Sequence, residues 1–353
     1  MNEYEFDGDI ESAPSSTASS AATSKRLSSP LGQGSALQAW LRQARSLRLP
    51  HGLLVTGARG IGKTTVIDWL TAALLCPSDL DTEAPCGVCR TCTRVANRQH
   101  PDAHVLNLAQ DEREHDELKK SFYVITVEQV RQAQLTLQRH AVEGRARVLV
   151  IEDADCLDEP GQNALLKTLE EPGAATFLLL EATRAERLLP TVHSRVQRLA
   201  VLPLANSALE QQLRMRFPTR GDRLPAAAAV ANGSLGQAIY ACTERVVQLH
   251  DLVRTLLGDP KGLRPVASAR AVLAQAKERR FELDAARTFL WLLRSELRAR
   301  RDQLADDPGA SYGVGSAEPW TTWLETTLHA ERDLDLQIPA EQVLTACLVQ
   351  FRP

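Results

Sequence analysis

Between residues 30 and 204 the hydrophobic pattern alternates between short apolar runs and stretches with helical spacing. The apolar runs include HGLLVTG, RVLVIED and FLLLEA, and each ends at a glycine or beside an acid. Continuous short apolar runs are typical of strands buried on both faces, whereas apolar residues three and four apart, such as Leu37, Leu41 and Ala44, indicate helices. Alternating strands and helices predict an α/β fold built on a parallel sheet.

Capping residues mark two of the predicted helix starts. Thr126 and Gln129 have the spacing of a capping box, and Asp158 precedes Pro160 as an N-cap with proline in the first turn. From about residue 205 onward the pattern is helical and no strand is predicted. Residues 1–29 are rich in Ser, Ala, Thr and acids, so we expect a disordered tail that cannot offset its ordering entropy by apolar burial.

Composition agrees with an ordinary globular protein, with 44% apolar and 24% charged residues among 353. The net charge of −3 gives no overall basic field, so any nucleic-acid contact requires a local patch. No apolar stretch predicts a membrane span, and the acidic N-terminus lacks the apolar core of a secretory signal. We therefore expect a cytoplasmic protein whose seven cysteines are thiols or metal ligands rather than disulfides.

The sequence GARGIGKTT lies between the first apolar run and a helical stretch. It contains the complete pattern G-x-x-x-x-G-K-[ST], in which glycines turn backbone N–H groups toward phosphates, lysine reaches the β and γ oxygens and the hydroxyl binds Mg²⁺. A plain turn is the alternative interpretation. The predicted ATP-binding residues of this loop are Gly57, Gly60, Gly62, Lys63, Thr64 and Thr65.

Four cysteines follow the helix after this loop, with the spacing C-x9-C-x2-C-x2-C. Structural Zn²⁺ takes four tetrahedral ligands with spacing of this kind, and a site closed by four thiolates leaves no open position for catalysis. The alternatives are four unconnected thiols, or a ligand from the nearby His100 or His104. The predicted zinc ligands are Cys76, Cys86, Cys89 and Cys92.

The stretches HPDAHVL, RVLVIEDAD, NALLKTLEEP and RLLPTVHSRVQRL follow the P-loop and the cysteines in an order that resembles subunits of the bacterial DNA polymerase III clamp loader. The resemblance is dense from about residue 47 to 200, and it is stronger to the delta-prime type than to its relatives, the gamma/tau ATPases. It implies an AAA+ domain at 30–204 with a zinc module at 76–92, a helical lid at 205–245 and a helical collar at 246–353.

Subunits of this family form a ring that loads a sliding clamp onto primed DNA during replication. The resemblance therefore implies gamma/tau and delta subunits as partners in a hetero-pentameric ring. It implies the clamp and primer–template DNA as partners through the assembly, and no membrane. The chain would then be a component of the DNA polymerase III holoenzyme, a DNA-directed DNA polymerase, with weak or absent ATPase activity of its own.

Departures from the active relatives lead to this expectation of weak hydrolysis. Their Walker B strand ends Asp-Glu, whereas here it ends Glu152-Asp153. Glu152 is predicted near the metal, while Asp153, the predicted catalytic acid, is too short to place the attacking water well. A solvated strand end is the alternative interpretation of these two acids. Thr183 matches the residue that senses the γ-phosphate, with a plain strand-terminal threonine as the alternative. Gly236 stands where active relatives carry a lid arginine.

The family's Ser-Arg-Cys motif directs an arginine toward the ATP of a neighbouring subunit. Ser194 and Arg195 match it, with Val196 in place of the cysteine. Arg195 is therefore predicted to be a catalytic arginine finger acting in trans, and the alternative is a surface arginine paired with a nearby acid. Two other functions stay open: a gamma/tau-like ATPase that hydrolyses its own ATP, and a P-loop phosphotransferase.

Overall fold

The computed structural model describes residues 26–78, 85–108, 124–137, 141–219, 221–260, 262–276, 282–306, 318–336 and 338–351. The chain divides into two compact units, Met1–Pro203 and Leu204–Pro353. Residues 1–25 of the predicted tail lie outside the described residues. Within the described ranges, no helix combines the length and the apolar character needed to cross a membrane.

The described part of the first unit is built on a five-stranded parallel sheet in the order β2-β3-β4-β1-β5. Its strands are β1 (Gly52–Thr56), β2 (Ala103–Leu106), β3 (Arg147–Ile151), β4 (Thr176–Ala182) and β5 (Gln197–Ala200). Every residue of β1 and β4 is buried, which explains their continuous apolar runs. The predicted α/β fold with a P-loop beside a parallel sheet is confirmed.

Helices cover both faces of this sheet. They are α1 (Gly34–Arg45), α2 (Lys63–Leu75), α3 (Arg90–Ala96), α4 (Val127–Leu137), α5 (Glu159–Glu170) and α6 (Pro190–His193). Leu179 belongs to one hydrophobic cluster, whereas Leu178 and Leu180 belong to another, because successive side chains of a strand point to opposite faces. Leu27, which lies within the predicted tail, packs against the first of these clusters.

Both predicted helix starts have their capping contacts. The backbone N–H of Thr126 donates to the side-chain oxygen of Gln129 at 2.7 Å, as in a capping box. The carboxylate of Asp158 accepts from the N–H of Gly161 at 2.6 Å at the start of α5. The sequence signals for α4 and α5 therefore correspond to physical contacts.

The second unit is helical throughout its described residues, as predicted. Its helices are α7 (Asn206–Arg216), α8 (Leu224–Val230), α9 (Leu235–Ala241), α10 (Glu244–Gly258), α11 (Pro265–Leu273), α12 (Glu282–Asp306), α13 (Glu318–Asp335) and α14 (Ala340–Val349). One hydrophobic cluster runs through this unit and includes Leu209, Phe289 and Leu344. The division into a lid at 205–245 and a collar at 246–353 stays a prediction.

Candidate functional site

The carboxyl ends of β3, β4 and β1 lie side by side at one edge of the sheet. Val55 of β1 is in register with Glu181 of β4, and Ile151 of β3 is in register with Leu180. Ligands of open parallel sheets bind outside this edge. The P-loop after β1, the acids after β3 and the polar end of β4 therefore meet at one place.

The P-loop, residues 57–64, needs its glycines for two reasons. Gly62 has a φ of 107°, in the left-handed region, and it is the N-cap of α2. A Cβ at Gly57 would lie 3.0 Å from Cγ2 of Ile61 and 3.2 Å from the carbonyl oxygen of Val201, so a side chain there would crowd both neighbours. Because a glycine cap offers no side-chain acceptor, the first N–H groups of α2 are left for an anion.

Lys63 and Thr64 both contact Glu181, a residue that the sequence analysis missed. Nζ of Lys63 lies 3.6 Å from Oε1 of Glu181, and the Thr64 hydroxyl donates to Oε2 at 2.9 Å. The same ammonium group donates to the Thr183 hydroxyl at 3.0 Å and to the carbonyl oxygen of Ala58 at 3.2 Å. The side chains predicted to bind phosphate and Mg²⁺ are thus in contact with a carboxylate of the same chain.

Glu181 is buried, with 9% of its surface exposed. Burial raises the pKa of its carboxyl above the usual range, and Glu152 adds to this, against the lowering effect of Lys63. An acid inside an apolar strand run needs a partner, and FLLLEA carries that signal in the sequence. The predicted residues that lie at this edge with Glu181 are Gly57, Gly60, Gly62, Lys63, Thr64, Thr65, Glu152, Asp153 and Thr183.

The predicted Walker B acids have other partners. Glu152 accepts hydrogen bonds from Arg98 and, at 3.1 Å, from Asn107. Arg98 follows α3, and its guanidinium also lies 2.7 Å from the carboxylate of Asp68 in α2. Asp153 adopts a left-handed backbone conformation with a φ of 51°. The acid that contacts the P-loop side chains is therefore Glu181, while Glu152 is held by an arginine.

The four predicted zinc ligands lie together, with their sulfur atoms all within 4.8 Å of one another. The Sγ atom of Cys76 lies 3.8 Å from those of Cys86 and Cys89, and the Sγ atoms of Cys86 and Cys92 are 3.9 Å apart. Tetrahedral Zn²⁺ with bonds of about 2.3 Å requires sulfur atoms about 3.8 Å apart. The donor set and its spacing therefore fit one zinc ion.

The environment of these thiols also suits a metal. Burial alone would raise the pKa of Cys76, but hydrogen bonds from Ser78 and from the backbone of Cys86 lower it to about 6. Burial and the neighbouring sulfur atoms raise the pKa of Cys92. Four thiolates this close oppose one another, and a divalent cation removes that conflict. His100, the alternative ligand, instead accepts the N–H of Asp102 at 3.2 Å.

Arg195 lies in the turn between α6 and β5. Its Nε atom donates to the Glu170 carboxylate at 2.7 Å, and Nη2 contacts the same oxygen. Its Nη1 atom donates to the carbonyl oxygen of Thr191 at 2.9 Å and to the Ser194 hydroxyl at 3.0 Å. The acid pairing expected for a surface arginine is present, and 33% of the Arg195 side chain is exposed. Gly236 lies in α9 of the second unit.

Comparison with known proteins places this arrangement in a family. The family described as "DNA polymerase III, delta subunit" matches residues 32–205. The DNA polymerase III subunit delta' of Pseudomonas aeruginosa is 32% identical over 235 residues, which are 65% of this chain and 68% of that protein. The chain belongs to the DNA polymerase III delta-prime family.

Another member of the delta-prime family and a tau/gamma relative support this assignment. The Escherichia coli K12 delta' subunit is 33% identical over 189 residues, covering 54% of this chain and 53% of that protein. The tau/gamma subunit of Haemophilus influenzae is 27% identical over 232 residues, covering 64% of this chain and 32% of that protein. The resemblance to clamp-loader subunits is thereby confirmed, and the chain is a DNA polymerase III component of that class.

Proposed function

We propose that this delta-prime subunit works in a clamp-loader ring, where it supplies Arg195 to the ATP of a neighbouring subunit and hydrolyses little or no ATP itself. The observation that carries the proposal is the placement of Arg195: an accessible guanidinium at a turn, held on one side by the chain and on the other by an exposed acid. An arginine supplied in trans accelerates phosphoryl transfer by about 10³ to 10⁵.

The partners of Arg195 support its release to a phosphate. Thr191 and Ser194 orient the guanidinium through contacts within its own turn. Glu170 is half exposed, and a pair of this kind contributes at most about 1 kcal/mol. A triphosphate offers more charge and more acceptor oxygens, so it can replace Glu170 without loss of hydrogen bonds.

The chain's own nucleotide site supports weak turnover. When bound, Mg²⁺–ATP would supply the γ-phosphate and the metal that polarises it. The P-loop, Lys63 and Thr64 would hold that nucleotide, with Thr183 beside Lys63. Glu152 is paired with Arg98, and the shorter Asp153 replaces the glutamate that orients water in active relatives. Positioning of the water would be the failing step.

The four cysteines serve as a structural zinc site in this proposal. Cys76 follows α2 directly, and Cys89 caps α3, since its sulfur accepts from the N–H of Cys92. A zinc ion there would tie the end of the P-loop helix to α3. Arg98 follows α3, so the same ion would help to fix the arginine that holds Glu152.

The ring partners in this proposal are gamma/tau and delta subunits, with the sliding clamp and primer–template DNA reached through the assembly. The tau/gamma relative of Haemophilus influenzae supports a common architecture for the subunits of such a ring. Because the ring acts at the replication fork, we keep the cytoplasm as the expected location.

The decisive experiment substitutes Arg195→Ala and reconstitutes the ring with its partner subunits, clamp and primed DNA. We expect intact assembly, a large fall in DNA- and clamp-stimulated ATP turnover, and slower clamp loading. Arg187→Ala is the matched control, because Arg187 is an exposed arginine of the same unit. Unchanged turnover in a correctly assembled ring would remove the finger role.

A further inference from the structure

Glu181 engages both side chains that the P-loop offers to a nucleotide. Its Oε1 atom lies 3.6 Å from the Lys63 ammonium, and its Oε2 atom accepts from the Thr64 hydroxyl at 2.9 Å. A P-loop lysine normally meets the β- and γ-phosphates, and the hydroxyl normally meets Mg²⁺. A single carboxylate therefore makes the contacts of both ligands.

Apart from Lys63, the charged residues that the structure describes around Glu181 do not offset its negative charge when a nucleotide enters. Glu152 lies close enough to raise the pKa of Glu181, and Arg98 is already engaged by Glu152 and Asp68. A triphosphate without metal would bring several negative charges to a lysine already neutralised by a buried carboxylate. Repulsion between like charges is strong where water is excluded.

A divalent cation changes this balance. Carboxylate and hydroxyl oxygens are ligands that Mg²⁺ accepts in nucleotide sites. The Thr64 hydroxyl and Oε2 of Glu181 lie beside each other, 2.9 Å apart across their hydrogen bond. Thr64 and Glu181 would hold the metal of a Mg²⁺–nucleotide complex, and its charge would offset that of Glu181. A nucleotide without metal would bring no such counter-charge.

We propose that Glu181 is an internal competitor of nucleotide at this P-loop, which restricts the site to metal-complexed nucleoside triphosphate. The inference rests on the proposed nucleotide site, but not on the role of Arg195. Glu181 neutralises Lys63 through their ion pair. A ligand must then either displace the carboxylate or bridge to it through Mg²⁺.

The test measures binding of ATP to the full chain by calorimetry, once with Mg²⁺ and once with EDTA. Glu181→Gln keeps the size of the side chain and removes its charge. We expect this variant to bind ATP at least about tenfold more tightly in EDTA, with a smaller gain in Mg²⁺. Glu171→Gln removes an exposed carboxylate of the same unit and should leave both affinities unchanged.

Lys63→Ala, added to Glu181→Gln, should abolish the gained binding, which locates it at the P-loop. The proposal is overturned if Glu181→Gln binds ATP no better than the natural chain in EDTA, and equally if neither binds. If Glu181→Gln unfolds at a much lower temperature than the natural chain, Glu181→Asp is measured instead. It retracts the carboxylate by one methylene, so we expect a smaller increase in the affinity for ATP in EDTA. Ring turnover plays no part here, so the Arg195 result can fail or succeed independently.

Discussion

At the scale of single residues, the partner of each charge decides what that charge can do. Lys63 is buried and reaches Glu181, so its ammonium is neutralised before any ligand arrives. Glu152 is buried and paired with Arg98, which lowers its freedom to approach a metal. Arg195 has an exposed partner and is the easiest of these groups to transfer to a new anion.

Asp102 is a residue whose ionisation stabilises the first unit. Its carboxylate accepts the N–H groups of Val142 at 2.6 Å, of Glu143 at 2.9 Å and of Gly144. Burial alone would raise the pKa of Asp102, but these backbone hydrogen bonds lower it. A lowered pKa in the folded chain stabilises the fold above the unfolded pKa of about 3.9, and this is lost as the pH falls through the folded value.

We therefore expect Asp102→Asn to lower the free energy of unfolding at pH 7 by about 1–3 kcal/mol. The difference from the natural chain should narrow as the pH falls below about 4. Denaturant titrations at pH 7 and below pH 4 measure the free energy of unfolding of both chains, with Glu171→Gln as an exposed control. An equal difference at both pH values would mean that shape rather than charge explains the role of Asp102.

At the scale of elements, strands and helices bring distant side chains to fixed positions. The neighbouring order of β3, β4 and β1 puts three carboxyl ends at one edge, and α2 starts there with an uncapped helix end. The other end of α2 carries Cys76, the first ligand of the cysteine cluster. One helix thus connects the candidate nucleotide site with the candidate metal centre.

The prediction at this scale concerns the zinc content of the chain and its loss when a cysteine ligand is substituted. We expect about one zinc per chain, and Cys92→Ser should lose that metal and melt at a lower temperature. Metal analysis and thermal melts measure both effects. Cys242→Ala, in the second unit, is the control and should retain the metal. A natural chain purified without chelator that holds no zinc would contradict the assignment.

At the scale of the whole molecule, the chain has two units with separate cores. The sheet carries its clusters in the first unit, and the second unit has its own helical cluster. The candidate nucleotide site and Arg195 both belong to the first unit. In the proposed ring, the contribution of Arg195 to catalysis would therefore require a neighbouring subunit that binds ATP, and the isolated chain would not show it.

The isolated chain should accordingly hydrolyse ATP far more slowly than about one per second, a low rate for an enzyme. Steady-state turnover measured with purified protein tests this, and Lys63→Ala separates true activity from a contaminant. If the isolated chain turns over near that rate and Lys63→Ala removes the activity, the gamma/tau-like alternative is correct. The trans role of Arg195 would then need separate support.

The sequence by itself determined the features that depend on residues close together in the chain. Apolar runs identified β1, β3 and β4, Asp158 marked the start of α5, and the interval between cysteines indicated one cluster of four thiols. These predictions succeed because strand burial, helix capping and ligand spacing depend on residues only a few positions apart.

Only the tertiary structure decided which polar side chains meet at the P-loop. Thr64 and Glu181 are separated by 117 positions, and Lys63 and Thr183 by 120, yet they touch because β4 lies beside β1. The sequence pattern pointed to Glu152 as the acid near the metal, since it follows a strand of the expected type. Glu152 lies at this edge but is paired with Arg98, and the strand order brings Glu181 into contact with Lys63 and Thr64. Contacts between distant segments depend on packing that no local spacing encodes.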